Sequence, residues 1–442
     1  MTSQQLHRIL IVGGGAGGLE LATRLGNTLG RRKRAEITLI DATLTHTWKP
    51  LLHEVAAGTL TSLEDELSYL AQARAHQFEF RLGRVVSVDR SARTVHTEPT
   101  RDSTGAEFVP ARSFPYDTLV LSVGSIANDF GIAGVKKHCR LLDRRQQADE
   151  FQQHLLRTHY AAVTQKGPLR PGQLRIAIAG GGATGVELAA ELHHCTRELI
   201  GYLFAGFNLD EHIKITIIDA ADRILPGLPE KLSKQVTQEL QRLGIDILAG
   251  ERITEARSDG FQTASGKFIQ AETLVWAAGI KAPDFLARID GLECNRLNQL
   301  LVLPTLQTTR DADIFAFGDC TACPMPDGKS FVPPRAQAAN QQATMLAQSL
   351  RCRLENRKLP KYRYVDYGSL INMSSYSTVG SLMGNLAKLW SPHLFVEGLL
   401  ARLVYLSLYK MHLLTLHGFL RVALTTLANL LTRRTRPRMK LH

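Results

Sequence analysis

At 442 residues the chain is too long for one compact domain and predicts two or three. Its 44% hydrophobic and 21% charged residues supply enough apolar material for a sizeable core and exclude a disordered chain. Six scattered cysteines make no disulfide framework and suit a reducing cytosol, while a net charge of +12 points to an anionic partner, either nucleic acid or a membrane surface.

In chain order, the first informative element is the apolar run Ile9 to Val12. It follows no basic and then apolar leader, so it reads as a strand and not as a signal or transit peptide. The run leads directly into Gly13 to Leu25, GGGAGGLELATRL, and then into ITLIDA at Ile37 to Ala42. The same unit returns later: Ile176-Ala-Ile-Ala leads to Gly180 to Leu192, GGGATGVELAAEL, and then to ITIIDA at Ile215 to Ala220. In each glycine turn the first glycine (Gly13, Gly180) permits the tight bend. The second (Gly15, Gly182) lets backbone approach a pyrophosphate, and the third (Gly18, Gly185) lets helix pack on strand. The helix N-terminus turns N–H groups and a positive dipole end toward the phosphates. Asp41 and Asp219 end the second strands, where a carboxylate can accept hydrogen bonds from an adenosine ribose. Two such units predict a hydride relay, because a simple dehydrogenase needs one dinucleotide fold and a flavin reductase needs two. Thr118 to Ser125, TLVLSVGS, and Thr273 to Ile280, TLVWAAGI, read as further matched strands ending in glycine turns. Thr308 to Cys320, TTRDADIFAFGDC, is a strand that delivers Gly318 and Asp319 to a turn, with a carboxylate suited to a ribityl hydroxyl.

With these motifs the chain resembles the two-dinucleotide-binding-domain flavoproteins of the glutathione reductase fold, and among them the type II NADH dehydrogenases, over essentially its whole length. The resemblance implies an α/β fold with two Rossmann-like domains and a C-terminal amphipathic helical segment. It implies an FAD-binding domain at residues 1–128 and 287–375, an NADH-binding domain at 129–286, and a membrane-association region at 376–442. It places FAD on Gly13, Gly15, Gly18, Asp41, Lys49, Val85, Gly318, Asp319 and Ala336, and NADH on Gly180, Gly182, Gly185, Asp219 and Gly279. Lys49 is carried by the Trp48 to Leu52 segment, WKPLL, and Ala336 opens an Ala-Gln signature that continues through Gln337 and Gln341. The implied activity is oxidation of NADH through FAD with transfer of two electrons to quinone and no ion pumping. Glu187 is expected to handle protons or quinone, and Gln337 and Gln341 to lie where quinone enters. Asp219 favours NADH over NADPH because a 2′-phosphate would face a carboxylate, a preference that nearby Arg223 weakens.

Cys320 and Cys323 form a CxxC, but no further cysteine or histidine pair completes a zinc site, so no metal is expected. In disulfide reductases of this fold the redox pair sits in the helix after the first unit, where this chain reads TWKPLLHEVAAG without cysteine. The pair is therefore read as structural. His46, His53, His193 and His194 show no partner pattern and receive no role. From Leu386 onward nine Lys and Arg stand against one acid, Glu397. Basic residues interrupt every apolar stretch well short of the ~20 residues that cross a bilayer. Arg402, Lys410 and Arg421 share one arc of a helix whose remaining surface is Leu, Val and Tyr, and Gly418 separates two helices. Aromatics are sparse and not interleaved with basic runs, so nucleic acid is not expected. The tail reads as an interfacial anchor on an anionic membrane, at the cytoplasmic face of a bacterial inner membrane, compatible with a homodimer presenting both tails to one face. Removing residues after about Gly398 is then expected to release the protein from membranes and leave both cofactor domains folded. The rival readings are a sulfide:quinone oxidoreductase, which needs cysteines facing the flavin, and a non-catalytic NADH-sensing membrane flavoprotein.

Overall fold

A computed structural model describes residues 6–59, 67–102, 104–203, 213–374, 376–382, 394–397, 410 and 412–432. Two parallel sheets organise the chain, and their central strands are buried on both faces; in the second sheet helices cover one face and a three-stranded antiparallel layer the other. The first sheet runs in the order Gln307–Thr308, Asp311–Ala316, Thr118–Leu121, His7–Val12, Ala35–Asp41, Glu79–Leu82, parallel except at the Gln307–Thr308 edge. The second runs Arg140–Leu141, Thr273–Trp276, Arg175–Ala179, Lys214–Asp219, Asp246–Ala249, parallel throughout.

The duplication read from the sequence extends to register. Ile9 sits between Thr118 and Ile37 in the first sheet, and Ile176 sits between Thr273 and Ile215 in the second. Each unit also carries a three-stranded antiparallel layer: Val85–Asp89, Thr94–Thr97 and Arg112–Pro115 in one, Ile253–Arg257, Gly260–Thr263 and Phe268–Gln270 in the other. The chain leaves the first sheet after Thr118–Leu121 and returns to it at Asp311–Ala316. Both crossings meet in a short ribbon, where Ile126–Ala127 pairs antiparallel with Ile280–Lys281. The expected boundaries at 128/129 and 286/287 lie just beyond these two strands.

The units are not separately cored. Helix Leu52–Ala57, which follows Lys49, puts Leu52, Val55 and Ala56 into one buried cluster with Val186, Ile217 and Ile371. This wedges the segment after the first dinucleotide unit against the helix Ala183–Leu203 that opens the second. A third, antiparallel sheet joins Gly368–Met373, Ser377–Leu382 and Leu394–Glu397, so the expected boundary at 375/376 falls within a hairpin. Residues 412–417 are helical, Gly418 breaks the path with φ of +76°, and a second helix follows at Phe419–Thr432. The expected helix break at Gly418 is thus present. Arg402 and the closing basic cluster lie outside the described residues. Among the described residues no helix is long and apolar enough to cross a membrane.

Candidate functional site

The two glycine turns are built alike. Gly13 and Gly180 adopt φ of +97° and +108°, a left-handed conformation that side chains resist. A Cβ on Gly18 would collide with the Gly13 carbonyl, and one on Gly185 with the Gly180 carbonyl, so helix and strand meet at backbone distance in both copies. A Cβ on Gly15 or Gly182, by contrast, would project into open space. That space beside each helix start is where a pyrophosphate would lie. The acids repeat the same hydrogen bonds. Asp41 accepts from the Gly14 amide (2.7 Å) and the Thr43 amide (2.9 Å), and Asp219 accepts from the Gly181 amide (2.5 Å) and the Ala221 amide (2.7 Å). Each carboxylate therefore ties its strand end to its glycine turn. The residues present fit a dinucleotide at each turn.

Around the first turn, Lys49 Nζ donates to the Ser125 carbonyl at 2.7 Å, and the Ser125 hydroxyl donates to Asp319 Oδ2 at 3.0 Å. Asp319 Oδ1 has no hydrogen-bond partner among the described residues, and burial raises this carboxyl's pKa against the pull of Ser125 and Lys49. An acceptor held this way suits a ligand hydroxyl. The Gly318 amide donates to buried Gln342, and Gln299 donates to the Asp319 carbonyl, so the turn is fixed from both sides. Ala336 is the first residue of helix Ala336–Leu354, whose Ala339 methyl abuts Gly318. Val85 is a buried strand residue packed in the first core. Gly279 takes a left-handed φ of +79° and its carbonyl accepts from the Asn128 amide, beside the two-stranded ribbon. Sequence reasoning missed Ser125, Gln299 and Gln342. Ser125 alone had a signal, as the residue closing the matched TLVLSVGS turn.

The equivalent glutamates of the two copies diverge. Glu20 is buried but ion-paired with Arg24 at 2.7 Å and hydrogen-bonded by Asn340 and Thr344. Glu187 is buried without a cation and accepts one backbone amide, from Asn372 at 3.0 Å. Burial pushes its carboxyl up to about 8, opposed by the Asn372 amide and reinforced by Glu54 and Glu191. At neutral pH it therefore holds a proton. Asn372, which also reaches Glu54 with its side chain, comes from a strand that carried no sequence signal.

Gln337 and Gln341, expected to lie where quinone enters, both bond to one neighbouring segment of the chain. The Gln337 amide donates to Asp366 and to the Gly368 carbonyl and accepts from the Tyr367 amide. Gln341 donates to the Val365 carbonyl and accepts from the Val365 amide and the Tyr362 hydroxyl. Both side chains fasten residues 362–368, which lead into the strand carrying Asn372. Arg223, expected to soften the nucleotide preference, spends its guanidinium on the carbonyls of Leu225, Pro226 and Leu228. Cys320 and Cys323 are fully buried free thiols, pushed up by burial to about 12 and about 11, and the Cys320 thiol faces the Leu121 and Phe317 carbonyls. Cys139 is likewise raised to about 12 by burial. A reactive cysteine is available as the thiolate, so none of these three has the environment a sulfide oxidant needs. His46, which the sequence left without a partner, donates to the Gly14 carbonyl and meets His412 at 3.1 Å. No group of three or more metal-binding side chains occurs among the described residues.

With this geometry in view, a family model described as pyridine nucleotide-disulphide oxidoreductase matches residues 7–343. A type II NADH:quinone oxidoreductase of Haemophilus influenzae is 42% identical, covering 99% of this chain and 100% of its own. This chain belongs to the type II NADH:quinone oxidoreductases. A solved structure of NDH2 from Plasmodium falciparum in complex with NADH superposes with a TM-score of 0.81 at 18% identity, covering 99% of this chain and 100% of that one. The sulfide:quinone oxidoreductase of Aquifex aeolicus is also similar in fold, with a TM-score of 0.72 at 17% identity, covering 93% of this chain and 92% of that one. Family membership and the inert cysteines together set the sulfide reading aside.

Proposed function

We propose that this chain oxidises NADH at the second glycine turn and passes two electrons, through FAD held at the first, to a membrane quinone. The observation that carries the reading is the doubled cradle: two glycine turns with the same conformation, the same backbone approach and the same acid-to-amide bonds. Bound FAD supplies a two-electron carrier able to accept hydride and then reduce quinone. The chain's own contributions are positional and protonic. Asp41 and Asp219 hold the turns, while Lys49, Ser125 and Asp319 form a hydrogen-bonded chain suited to the flavin end of FAD. Quinone becomes quinol by taking two electrons and two protons, and hydride brings only one proton, so one must come through the protein from water. Glu187, neutral at pH 7 and poised near 8, is the group to hold it. Gln337 and Gln341 act as positioning residues that set the segment leading to Asn372, and through it Glu187.

Rapid mixing of Glu187→Gln tests this assignment. Bleaching of the flavin by NADH should keep its rate, while reoxidation by quinone should slow by about 100-fold or more. In the wild type that second step should decline as pH rises through about 8, because the donor loses its proton, and the variant should lack this limb. A slowed reductive step with normal reoxidation would move Glu187 to the other half-reaction. The same shift makes a stability prediction of defined sign. An acid raised from 4.5 to about 8 lowers wild-type stability progressively between those pH values, on the order of 5 kcal/mol in all, and Glu187→Gln should flatten the profile.

Nucleotide choice is assigned to Asp219. Asp219→Asn keeps one of the two oxygens that accept from the Gly181 and Ala221 amides and removes the charge that a 2′-phosphate would meet. NADPH use relative to NADH should rise about tenfold in steady-state kcat/KM. Equal wild-type efficiency with both nucleotides would defeat the assignment.

The same reading makes the protein peripheral on an anionic membrane surface, at the cytoplasmic face, as a monomer or a homodimer. Its support is the second tail helix, on which Phe419, Leu420, Leu424, Leu427 and Leu431 are exposed, Phe419 to 79%. Leu420, Leu424, Leu427 and Leu431 recur at helical spacing and make one apolar stripe, the face an interfacial helix turns to lipid.

A further inference from the structure

Helix Ala16–Leu25 and its continuation Gly26–Gly30 pack along helix Ala336–Leu354, and a cleft of about 230 Å³ opens at the end of their contact. Arg32, Arg34, Arg351 and Arg357 line it around a single carboxylate, Glu355. A second hollow of about 470 Å³ shares Thr28, Gln348 and Arg351 with the first and adds Arg24. Glu355 is already divided between Arg34 (2.9 Å) and Arg357 (2.6 Å), and Arg24 is bound to Glu20. Arg32 and Arg351 have no ion pair among the described residues. The two hollows thus gather five guanidiniums against two carboxylates that are already engaged.

The wider hollow is also lined by Thr415, from the docked tail segment. That segment is anchored beside it: the Leu416 carbonyl accepts from Gln72 and His76, and His76 also bonds Asn27 on the hollow's wall. Four residues beyond Thr415 begins the helix whose apolar stripe is exposed. A cationic cleft therefore adjoins a helix whose exposed apolar stripe suits acyl chains. Arginine is the residue whose planar donors match phosphate oxygens. We infer that the cleft binds the phosphate of an anionic phospholipid headgroup, with Arg32 and Arg351 as its principal ligands, while the helix Phe419–Thr432 lies in the same leaflet. The inference rests on the membrane reading above and adds to it a specific lipid site in the FAD-type unit.

Sedimentation of the full-length protein with vesicles of phosphatidylcholine alone, and of phosphatidylcholine with phosphatidylglycerol, tests it. Wild type should bind both and prefer the anionic ones. R32Q/R351Q should bind neutral vesicles as wild type does and bind anionic ones more weakly by well over the about 30-fold that any two basic residues near the surface contribute, at about 1 kcal/mol each. Its turnover with a water-soluble quinone should be unchanged. R31Q/K33Q removes the same number of charges from residues that flank Arg32 and do not line the cleft, and it should lose about 30-fold at most. An equal loss in that control, or wild-type affinity in R32Q/R351Q, would overturn the site and leave the membrane reading standing. L424D/L427D should lose both vesicle types, and if it binds neutral vesicles normally the membrane reading itself fails. Should wild type ignore phosphatidylglycerol yet melt at higher temperature with inorganic phosphate at fixed ionic strength, the cleft is a free-anion site and the lipid assignment is overturned.

Discussion

Gly185→Val should abolish NADH turnover, by about 100-fold or more, in a protein that still carries FAD. The side chain at this position would begin on top of the Gly180 carbonyl, so the helix start must move away from the strand that supports it. Overpacking of this kind costs about 1–3 kcal/mol where atoms can shift, and here the opposing atom is main chain. Displacing a nucleotide by about 1 Å is itself enough for a loss of that size. Gly18→Val makes the same collision in the first copy, with the Gly13 carbonyl, and should yield a colourless protein. Gly15→Ala separates ligand space from fold. Its methyl meets no protein atom, so melting of the apoprotein should be unchanged while FAD affinity falls. Absorbance of the purified proteins and titration with NADH decide the set. Retained NADH turnover in Gly185→Val would mean that the second turn is not the nicotinamide site.

The second large effect concerns where the tail is cut. Ending the chain after Gly418 should release it from vesicles and leave FAD bound, whereas ending it before Lys410 should lose FAD as well. The sequence predicted that everything beyond about Gly398 was dispensable for folding, and the structure moves that limit. His412 and Leu416 are 2% and 1% exposed, and Leu416 belongs to the same core as Ile9 and Leu119. Losing one such leucine costs about 2–5 kcal/mol. His412 also stacks on Trp48 at 4.2 Å and bonds His46, whose other nitrogen donates to the Gly14 carbonyl in the first glycine turn. Both imidazoles are kept neutral by burial, lowered to about 4 for His46 and about 2 for His412, so each can donate through one nitrogen and accept through the other. Removing the segment strips Trp48 and His46 of this cover and loosens the turn proposed to hold FAD. Flavin content after gel filtration, with vesicle sedimentation, checks both truncations. A protein ended before Lys410 that stayed yellow would return the limit to Gly398.

The repeated units show why so much was legible from sequence. A glycine at Gly13, Gly18, Gly180 or Gly185 is dictated by local backbone geometry, and an acid such as Asp41 or Asp219 by its place at a strand end. Both constraints act within about forty residues of chain, so they leave a pattern that can be read without neighbours. Apolar runs buried on both faces likewise announced the parallel strands from Ile9 to Phe315. The CxxC could be dismissed for the same local reason, since the helix after the first turn held no cysteine.

What tertiary structure alone decided is the environment of each polar side chain. Glu20 and Glu187 occupy matching positions in matching motifs, and only the residue four further on, Arg24 in one copy and Glu191 in the other, tells them apart in sequence. Burial raises both carboxyls, but one is opposed by Arg24 and Thr344 while the other meets a single amide from Asn372, delivered by a strand 185 residues away, and is pushed up to about 8. The partners that Gln337 and Gln341 take in residues 362–368 appear only once the chain folds back on itself. His46 had no partner until the tail brought His412 to it across 366 residues. Backbone conformation is set by neighbours in the chain and is written there. Protonation and hydrogen-bond partners depend on which distant segments exclude water from a group, and only folding brings those segments together.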